Sequence, residues 1–275
     1  LAQLNEMDIP PFDVVVVDLY PFEDTVASGA DEAEIIEKID IGGISLIRAA
    51  AKNFNDVVVI PSKLSYKPLV EALEKNAGST TLAERLSFAR AAFGVTSQYD
   101  AAIYAYFQGD KTFPESLRLT ENNRVDLRYG ENPHQKAVFY GDFDDMFEKL
   151  AGKELSFNNL TDIDAAVGLI SEFEKDGPTM VILKHTNPCG VATRSTIKEA
   201  WLAALAADPV SAFGGIFISN VPIDMATAVE IDQLFYEVLI APDFAEDVLN
   251  FLSKKKNRIL LKLKKPKIQN IRVKS

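Results

Sequence analysis

Short apolar runs alternate with longer helical stretches along the first part of the chain. The runs at 14–17 (VVVV) and 57–60 (VVVI) are continuous and rich in β-branched residues, which is typical of strands buried on both faces. Strands that alternate with helices predict a parallel sheet with crossover helices. The stretches with helix-forming composition are 30–38, 45–52, 66–75 and 82–106.

The alternation restarts after a polar stretch. Residues 109–123 contain Gly, Pro and charges without a hydrophobic period, so we predict a linker at 109–126 between a first domain at 1–108 and a second at 127–275. The second domain has the same pattern, and the whole chain is therefore predicted to be α/β. Its expected strands are 137–140, 180–183, 215–218, 238–242 and 258–263, and its expected helices are 162–175, 197–207 and 226–235.

Composition changes this picture little. The length of 275 residues allows one large or two medium domains, and 47% hydrophobic with 25% charged residues is ordinary for a soluble globular protein. A single cysteine, Cys189, excludes an intramolecular disulfide and fits a reducing compartment. There is no Cys/His cluster with zinc spacing and no apolar run of membrane-spanning length. We expect a cytoplasmic protein that needs no metal.

The net charge of −11 conceals a basic C-terminal end. Residues 254–275 include many Lys and Arg but no Asp or Glu, and such a segment could bind nucleic acid or membrane headgroups. However, 258–263 contains apolar residues that need a core, and the acidic remainder of the chain repels polyanions. We therefore expect neither a nucleic-acid nor a membrane partner.

The most informative motif is 184–190 (KHTNPCG), directly after an apolar strand. Adjacent strand residues point to opposite faces, so Lys184 and His185 can serve one site only if the backbone bends; we expect the Asn187-Pro188 pair to make that bend. A neutral imidazole takes a proton near pH 7, and an ammonium beside it stabilises developing negative charge. This pairing suits acyl or formyl transfer. The alternative is a surface lysine next to a histidine that hydrogen-bonds the turn.

A second candidate site follows the first strand. Tyr20 lies just after the valine run, and ligands gather at the carboxyl ends of strands in open parallel sheets. Asp40 precedes Gly42-Gly43, whose backbone N–H groups at a helix start can bind an anion. Lys52 could reach back to the site from a helix. The alternatives are a core aromatic for Tyr20, a helix cap for Asp40 and a favourable charge at a helix C-terminus for Lys52.

A third segment, 127–135 (LRYGENPHQ), follows the predicted linker. The planar fork of Arg128 suits a phosphate, and Tyr129 could stack on a base; an interdomain clamp is the alternative. We interpret His134 as structural, held in the Asn-Pro turn.

Two further residues allow two interpretations each. Cys189 could be a thiol nucleophile whose pKa is lowered by a nearby cation, although a free cysteine is more often a small buried hydrophobe. Phe213, in the turn 211–215 (SAFGG), could be a pocket wall or a core aromatic.

These runs, in this order, resemble the AICAR transformylase/IMP cyclohydrolase family of bifunctional purine-biosynthesis enzymes. The resemblance covers essentially the whole chain and implies an internal fragment that lacks both ends. It implies a partial methylglyoxal-synthase-like (Rossmann-like) domain followed by a partial cytidine-deaminase-like transformylase domain without zinc. The resemblance to the transformylase half lies in residues 127–135, 184–190 and 211–215. The resemblance to the cyclohydrolase half lies in residues 18–22 (DLYPF), 39–43 (IDIGG) and 48–53 (RAAAKN).

The resemblance implies the last two steps of de novo IMP synthesis. A formyl group passes from the cosubstrate 10-formyltetrahydrofolate to AICAR, giving FAICAR, and FAICAR then closes to IMP with loss of water. The implied partners are AICAR, FAICAR/IMP, the formylfolate and a second copy in a homodimer. The alternative is a catalytically silent fragment that only binds nucleotide or dimerises.

The family's functional residues map onto this chain by motif. In formyl transfer, Lys184 and His185 are the implied catalytic pair. In ring closure, Lys52 is the implied acid/base group, Tyr20 stabilises the oxyanion and Asp40 orients the carboxamide. The implied substrate-binding residues are Arg128 and Tyr129 for AICAR, and Val17, Asp18, Ile41 and Gly42 for the cyclohydrolase nucleotide; many family members have Asn at the position of Asp18.

Overall fold

The computed structural model describes residues 6–109, 116, 118, 120–121 and 123–264. The chain divides into two compact units, Leu1–Thr120 and Glu121–Ser275, and this boundary falls inside the range predicted as a linker. The basic end beyond residue 264 lies outside the described residues. Within the described part of the chain, no helix combines the length and apolar character needed to cross a membrane.

The first unit is built around a parallel strand pair. Strands β1 and β2 pair in parallel, with Val14 opposite Val58, and the intervening helix α3 packs on both strands together with the long helix α5. The predicted parallel crossover is therefore confirmed here. The elements are β1 (Val14–Val16), α1 (Phe22–Ala27), α2 (Glu32–Glu37), α3 (Gly42–Lys52), β2 (Val58–Ile60), a 3₁₀ turn (Lys63–Ser65), α4 (Tyr66–Lys75) and α5 (Leu82–Gln108).

The prediction that the valine-rich strand is buried on both faces is wrong. Val14 and Val16 are 39% and 51% exposed, whereas Val15, on the opposite face, packs against the core. The reason is that β1 packs mainly against α3, and among the described residues no element covers its other face, whereas β2 contacts both α3 and α5. β2 is fully buried, as its apolar run predicts.

The second unit contains a six-stranded sheet with the order β5-β10-β9-β8-β6-β7. Its elements are β3 (Arg124–Asp126), β4 (Val138–Tyr140), α6 (Phe143–Met146), β5 (Phe147–Ala151), α7 (Phe157–Ser171), β6 (Thr179–Lys184), β7 (Asn187–Thr193), α8 (Ile197–Ala207), β8 (Gly215–Ser219), α9 (Met225–Asp232), β9 (Tyr236–Ala241), α10 (Glu246–Leu252) and β10 (Ile259–Leu263). Strands β3 and β4 form a separate antiparallel pair, so the end of the predicted linker is a strand.

The predicted parallel sheet is only partly correct for the second unit. β8, β9 and β10 are parallel neighbours, but β6 pairs antiparallel with both β7 and β8, and β5 pairs antiparallel with β10. The cause is a tight hairpin between β6 and β7 in place of a crossover. The sheet is mixed, and the α/β class is confirmed.

Helices cover both faces of this sheet. Helices α8, α9 and α10 bury one apolar cluster that includes the fully buried Trp201, and α7 buries a second cluster on the other face. Gly190 in β7 allows a close approach of α8, because a Cβ there would overlap the carbonyl oxygen of Ala204. The core of the second unit therefore holds the end of β6, and with it Lys184, in a fixed position.

Candidate functional sites

Lys184 and His185 lie at a two-residue β-hairpin turn. Lys184 pairs with Asn187, so His185 and Thr186 form the turn, and their φ angles are 55° and 61°. Positive φ at both positions is what a type I′ turn requires. The bend therefore comes before the Asn-Pro pair, and the predicted position of the bend is wrong. Pro188 lies instead in β7, an edge strand in which a missing N–H is tolerated.

Side-chain hydrogen bonds hold this turn. The backbone N–H of Thr186 donates to Asp162 Oδ1 at 2.8 Å, and Asn187 Nδ2 donates to the carbonyl of His185 at 2.8 Å. The left-handed conformation is costly for residues with a side chain and persists where surrounding contacts impose it. The result is an exposed imidazole next to the half-buried Lys184.

The 211–215 turn lies against the end of β6. Lys184 Nζ donates to the carbonyl oxygen of Phe213 at 2.6 Å, and a Cβ at Gly215 would lie 2.5 Å from the carbonyl oxygen of Leu183. Gly214 has a φ of 73°, which favours glycine. Phe213 is 56% exposed and is therefore not a core aromatic. The turn accepts a hydrogen bond from one of the three N–H groups of the Lys184 ammonium, which leaves the other two N–H groups for a ligand.

The 127–135 segment forms a closed loop. Gly130 N–H donates to the carbonyl of Gln135 at 2.8 Å, and Gln135 Oε1 accepts from Asn132 N–H at 2.7 Å. The exposed guanidinium of Arg128 lies 5.3 Å from the ring centroid of Tyr129. His134 is exposed; its structural role stays a prediction.

A cavity of about 500 Å³ opens beside Arg128. Its volume is in the range of small-molecule sites, which are mostly apolar with a few polar groups. The apolar lining comes from several elements of the second unit and includes Phe139, Phe143, Leu155 and Leu160.

The loop and the hairpin turn both contact α7. Asn158 Nδ2 donates to the carbonyl of Glu131 in the loop at 3.1 Å, and Asp162 accepts from Thr186 in the turn. Residues four apart on a helix are neighbours on one face. The structure therefore brings all three transformylase-like motifs, at 127–135, 184–190 and 211–215, to one region. Asn158 and Asp162 were missed by sequence reasoning, because no local signal marks a contact that spans more than twenty residues.

The position of Cys189 argues against a thiol nucleophile. Burial raises the pKa of the Cys189 thiol, and the nearby carboxylate of Asp208 raises it further. A reactive cysteine requires the opposite shift. The interpretation as a small, partly buried hydrophobe is the better one.

In the first unit, Asp40 connects Tyr20 to the start of α3. The two oxygens of its carboxylate accept hydrogen bonds from Gly43 N–H at 2.6 Å and from Tyr20 N–H at 3.4 Å. The Tyr99 hydroxyl, from α5, accepts from Asp40 N–H at 2.9 Å and donates to the carbonyl of Lys38 at 2.7 Å. Asp40 is therefore a cap of α3, and it also holds Tyr20 at the carboxyl end of β1.

The expectation that Lys52 reaches back to this cluster is not met. Lys52 is the last of the 11 residues of α3, whereas Asp40 precedes the first, and such a helix is about 16 Å long. The physical reason is that a helix between two parallel strands runs opposite to them, so its ends lie at opposite edges of the sheet. The ammonium placed beside Tyr20 is that of Lys38, 6.0 Å from the ring centroid.

The implied nucleotide-binding residues lie near the same edge. Val17 N–H extends the pairing with β2 at 2.9 Å, and Ile41 and Gly42 are exposed at the start of α3. Asp18 Oδ2 accepts from the hydroxyl of Tyr66 at 2.7 Å, and this hydrogen bond raises the pKa of Tyr66. Tyr66 follows β2, so its position after a parallel strand was a signal that could have identified it.

No metal centre is evident in the part of the chain that the structure describes, because no group of three or more His, Cys, Asp or Glu side chains there could hold an ion. The arrangement of the second unit offers an imidazole, an ammonium and a guanidinium. Such groups can accept a proton, stabilise an oxyanion and bind an anion.

Comparison with known proteins identifies relatives along nearly the whole chain. The bifunctional purine biosynthesis protein PurH of Bacteroides thetaiotaomicron is 55% identical over 268 residues, which are 98% of this chain and 52% of the relative. The protein of the same name from Chlorobium phaeobacteroides is 45% identical over 285 residues, covering 98% of this chain and 54% of the relative. The chain thus spans about half the length of the curated relatives it matches.

A solved structure, described as "Crystal structure of ForH", matches 38% of this chain and 55% of its own at 30% identity, with a TM-score of 0.31. The sequence profile described as AICARFT/IMPCHase bienzyme matches residues 50–275. Because this profile and the relatives together cover nearly the whole chain, the chain belongs to the AICARFT/IMPCHase bienzyme family.

Proposed function

We propose that the chain contributes to both activities of its family. The second unit transfers a formyl group from 10-formyltetrahydrofolate to the 5-amino group of AICAR, and the first unit closes FAICAR to IMP. The observation that supports this most strongly is the convergence of the three motif segments of the second unit around Lys184 and His185. Family membership and the name shared by the relatives support the same reactions.

In formyl transfer, His185 acts as the proton carrier. Its imidazole takes a proton from the AICAR amine as the nitrogen attacks the formyl carbon, so that an N–C bond forms and the carbonyl electrons move to oxygen. When the tetrahedral intermediate collapses, the bond to the folate nitrogen breaks, and that nitrogen receives the proton from His185.

Lys184 stabilises the oxyanion in this step. The Phe213 carbonyl fixes its ammonium at 2.6 Å, and a donor that is already in place stabilises developing charge without reorganisation. Because the amine is conjugated and weakly nucleophilic, holding both substrates in register is the other main contribution to rate. Arg128 and Tyr129 bind AICAR, the guanidinium at its phosphate, beside the 500 Å³ cavity.

In ring closure, the carboxamide nitrogen of FAICAR attacks the formamide carbon and water leaves. Asp40 orients the carboxamide and Tyr20 stabilises the oxyanion, with Val17, Asp18, Ile41 and Gly42 beside the nucleotide. Lys52, which the family resemblance implies as the acid/base group, lies at the far end of α3, and the ammonium beside Tyr20 in this structure is that of Lys38.

At the level of folds, we propose that the first unit is a partial methylglyoxal-synthase-like domain and the second a partial cytidine-deaminase-like domain. The parallel β1–β2 pair with its crossover helix supports the former, and the mixed six-stranded sheet covered on both faces supports the latter. A cytoplasmic homodimer belongs to the same proposal.

The test is single-turnover formyl transfer with saturating AICAR and 10-formyltetrahydrofolate. We expect His185→Ala to lower the rate by at least about a hundredfold, as for loss of a general base. Thr161→Ala, whose hydroxyl bonds back to Phe157 of its own helix, is the matched control and should retain the rate. No transfer from the folded chain, or a His185→Ala rate equal to the wild-type rate, would overturn the proposal.

A further inference from the structure

The first turns of α7 hold both motif loops of the second unit. Asn158 donates to the carbonyl of Glu131 at 3.1 Å, and Asp162 accepts from Thr186 N–H at 2.8 Å. We propose that Asn158 and Asp162 are positioning residues that fix the Arg128 loop and the His185 turn side by side on one face of α7. The inference rests on the proposed formyl transfer.

Asp162 holds a turn that is costly by itself. His185 and Thr186 both have positive φ and neither is glycine, so the conformation depends on contacts from outside the hairpin. The hydrogen bond from Thr186 N–H to a carboxylate is charge-assisted and therefore stronger than one to a neutral acceptor. Since the donor is the residue directly after His185, Asp162 determines where the imidazole lies.

Asn158 fixes the 127–135 loop close to Arg128, as Asp162 fixes the hairpin turn close to His185. Glu131, whose carbonyl it binds, comes three residues after Arg128. The inner side of the loop is closed by Gln135, which bonds Gly130 and Asn132. The contact from Asn158 is an anchor from outside this closed loop, and it sets the position of the loop relative to the helix.

Helix α7 is a rigid support for both contacts. It begins with a reciprocal pair of hydrogen bonds between Ser156 and Asn159, at 3.1 and 3.2 Å, and it buries Ile163 and Ala166 in the core. Asn158 and Asp162 are one turn apart on this helix. The distance between the nucleotide-binding loop and the catalytic turn is thereby set by helix geometry, and groups on rigid elements are held more precisely than groups on loops.

The two positions should affect different kinetic constants. Asp162→Ala releases the catalytic turn and should lower kcat by about ten- to a hundredfold, in the range seen for small misplacements of reacting groups. Asn158→Ala releases the binding loop and should raise the KM for AICAR by about fivefold, the equivalent of one hydrogen bond. A purely structural role would instead lower the amount of active protein and leave the KM unchanged in both variants.

A spectroscopic test does not need turnover. The chain has two histidines, so His134→Gln and His185→Gln assign both imidazole NMR signals. We expect Asp162→Ala to shift and broaden the His185 signal, and Asp162→Asn, whose amide oxygen still accepts, to restore most of it. The signal of His134 should change with Asn158→Ala and not with Asp162→Ala.

Two variants on the same helix are matched controls. Thr161→Ala removes a hydroxyl that bonds only back to Phe157 of its own helix among the described contacts, and Ser171→Ala removes a hydroxyl that bonds back to Gly168 at the far end of α7. Both control variants should leave the NMR signals of His134 and His185, the kcat and the KM for AICAR unchanged. Melting temperatures establish that each variant is folded; should Asp162→Ala not fold, Asp162→Glu, which moves the carboxylate by one methylene, should still shift the His185 signal.

An unshifted His185 signal in folded Asp162→Ala, or equal effects of the control variants, would overturn the positioning role. The failure of the proposed function has a different signature, namely no formyl transfer in the wild-type chain although its His185 signal responds to Asp162→Ala.

Discussion

Tyr236 and Arg258 place a phenol and a guanidinium together inside the second unit. The guanidinium lies 4.5 Å from the ring centroid, and it also donates to Asp232 Oδ1 at 2.5 Å and to the carbonyl of Leu234 at 2.9 Å. Because Tyr236 is fully buried and Arg258 nearly so, the charge of Arg258 is balanced by Asp232, while the phenol stays neutral.

The burial of Tyr236 predicts a loss of stability at alkaline pH. Burial raises the pKa of Tyr236 to about 12, above its value near 10 in an unfolded chain. The neutral phenol therefore contributes fully to stability below pH 10, and the contribution is lost as the pH rises from 10 through 12. We expect a loss of about 2–3 kcal/mol from this residue, measured by urea unfolding across that range.

Tyr236→Phe is the control for the alkaline transition. It keeps the ring against Arg258 but has no proton to lose, so its unfolding free energy should fall less than that of the wild type between pH 10 and 12. An identical decline in the two proteins would assign the loss to other groups.

At the residue scale, the sequence identifies candidate groups but does not predict how they are held. Lys184 and His185 stand out because an ammonium and an imidazole follow a buried strand. The left-handed conformation of His185 and Thr186 is not predictable in the same way, since the Asn-Gly signal of such turns is missing. Asp162 carries no signal at all, because its partner lies 24 residues away.

At the scale of elements, hydrophobic period and capping residues determine how well the sequence predicts each helix and strand. Helices α4 (Tyr66–Lys75) and α8 (Ile197–Ala207) have the predicted bounds. Helix α7 begins at Phe157, five residues before its predicted start at 162, because the capping pair uses Asn159 in place of Glu or Gln. Strand β7 was missed because its Pro188 and Gly190 favour a turn.

Two variants of Asp40 separate its role as a cap of helix α3 from its role in ring closure. Asp40→Ala removes the acceptor of Gly43 N–H and should destabilise the first unit by about 1 kcal/mol, the usual value of a helix cap. Asp40→Asn should retain most of this stability, since Asn is an equally good cap, but lower the rate of ring closure. Thermal unfolding and IMP formation, measured on the same samples, test both parts.

The dual role of Asp40 would be wrong if Asp40→Asn closed FAICAR at the wild-type rate. It would also be wrong if Asp40→Ala and Asp40→Asn were equally destabilised, because the carboxylate would then not act as a cap.

At the scale of the whole molecule, the sequence predicts the α/β class and the restart of the pattern after a polar stretch. It does not predict that the second sheet is mixed, because the β6–β7 hairpin reverses the direction of the chain, and Pro188 and Gly190 conceal β7 as a strand. The same limit applies to Lys52: its motif suggests a place beside Asp40, but the direction of a crossover helix between parallel strands puts it at the other edge of the sheet.

The central claim is that each unit contains the site of its own reaction. The most direct measurement follows formyl transfer to AICAR and closure of FAICAR to IMP in parallel for the wild type, His185→Ala and Tyr20→Phe. We predict that His185→Ala abolishes formyl transfer and leaves ring closure unchanged, and that Tyr20→Phe does the reverse. Loss of both reactions in either folded variant, or no turnover of either substrate by the folded wild-type chain, would contradict this account.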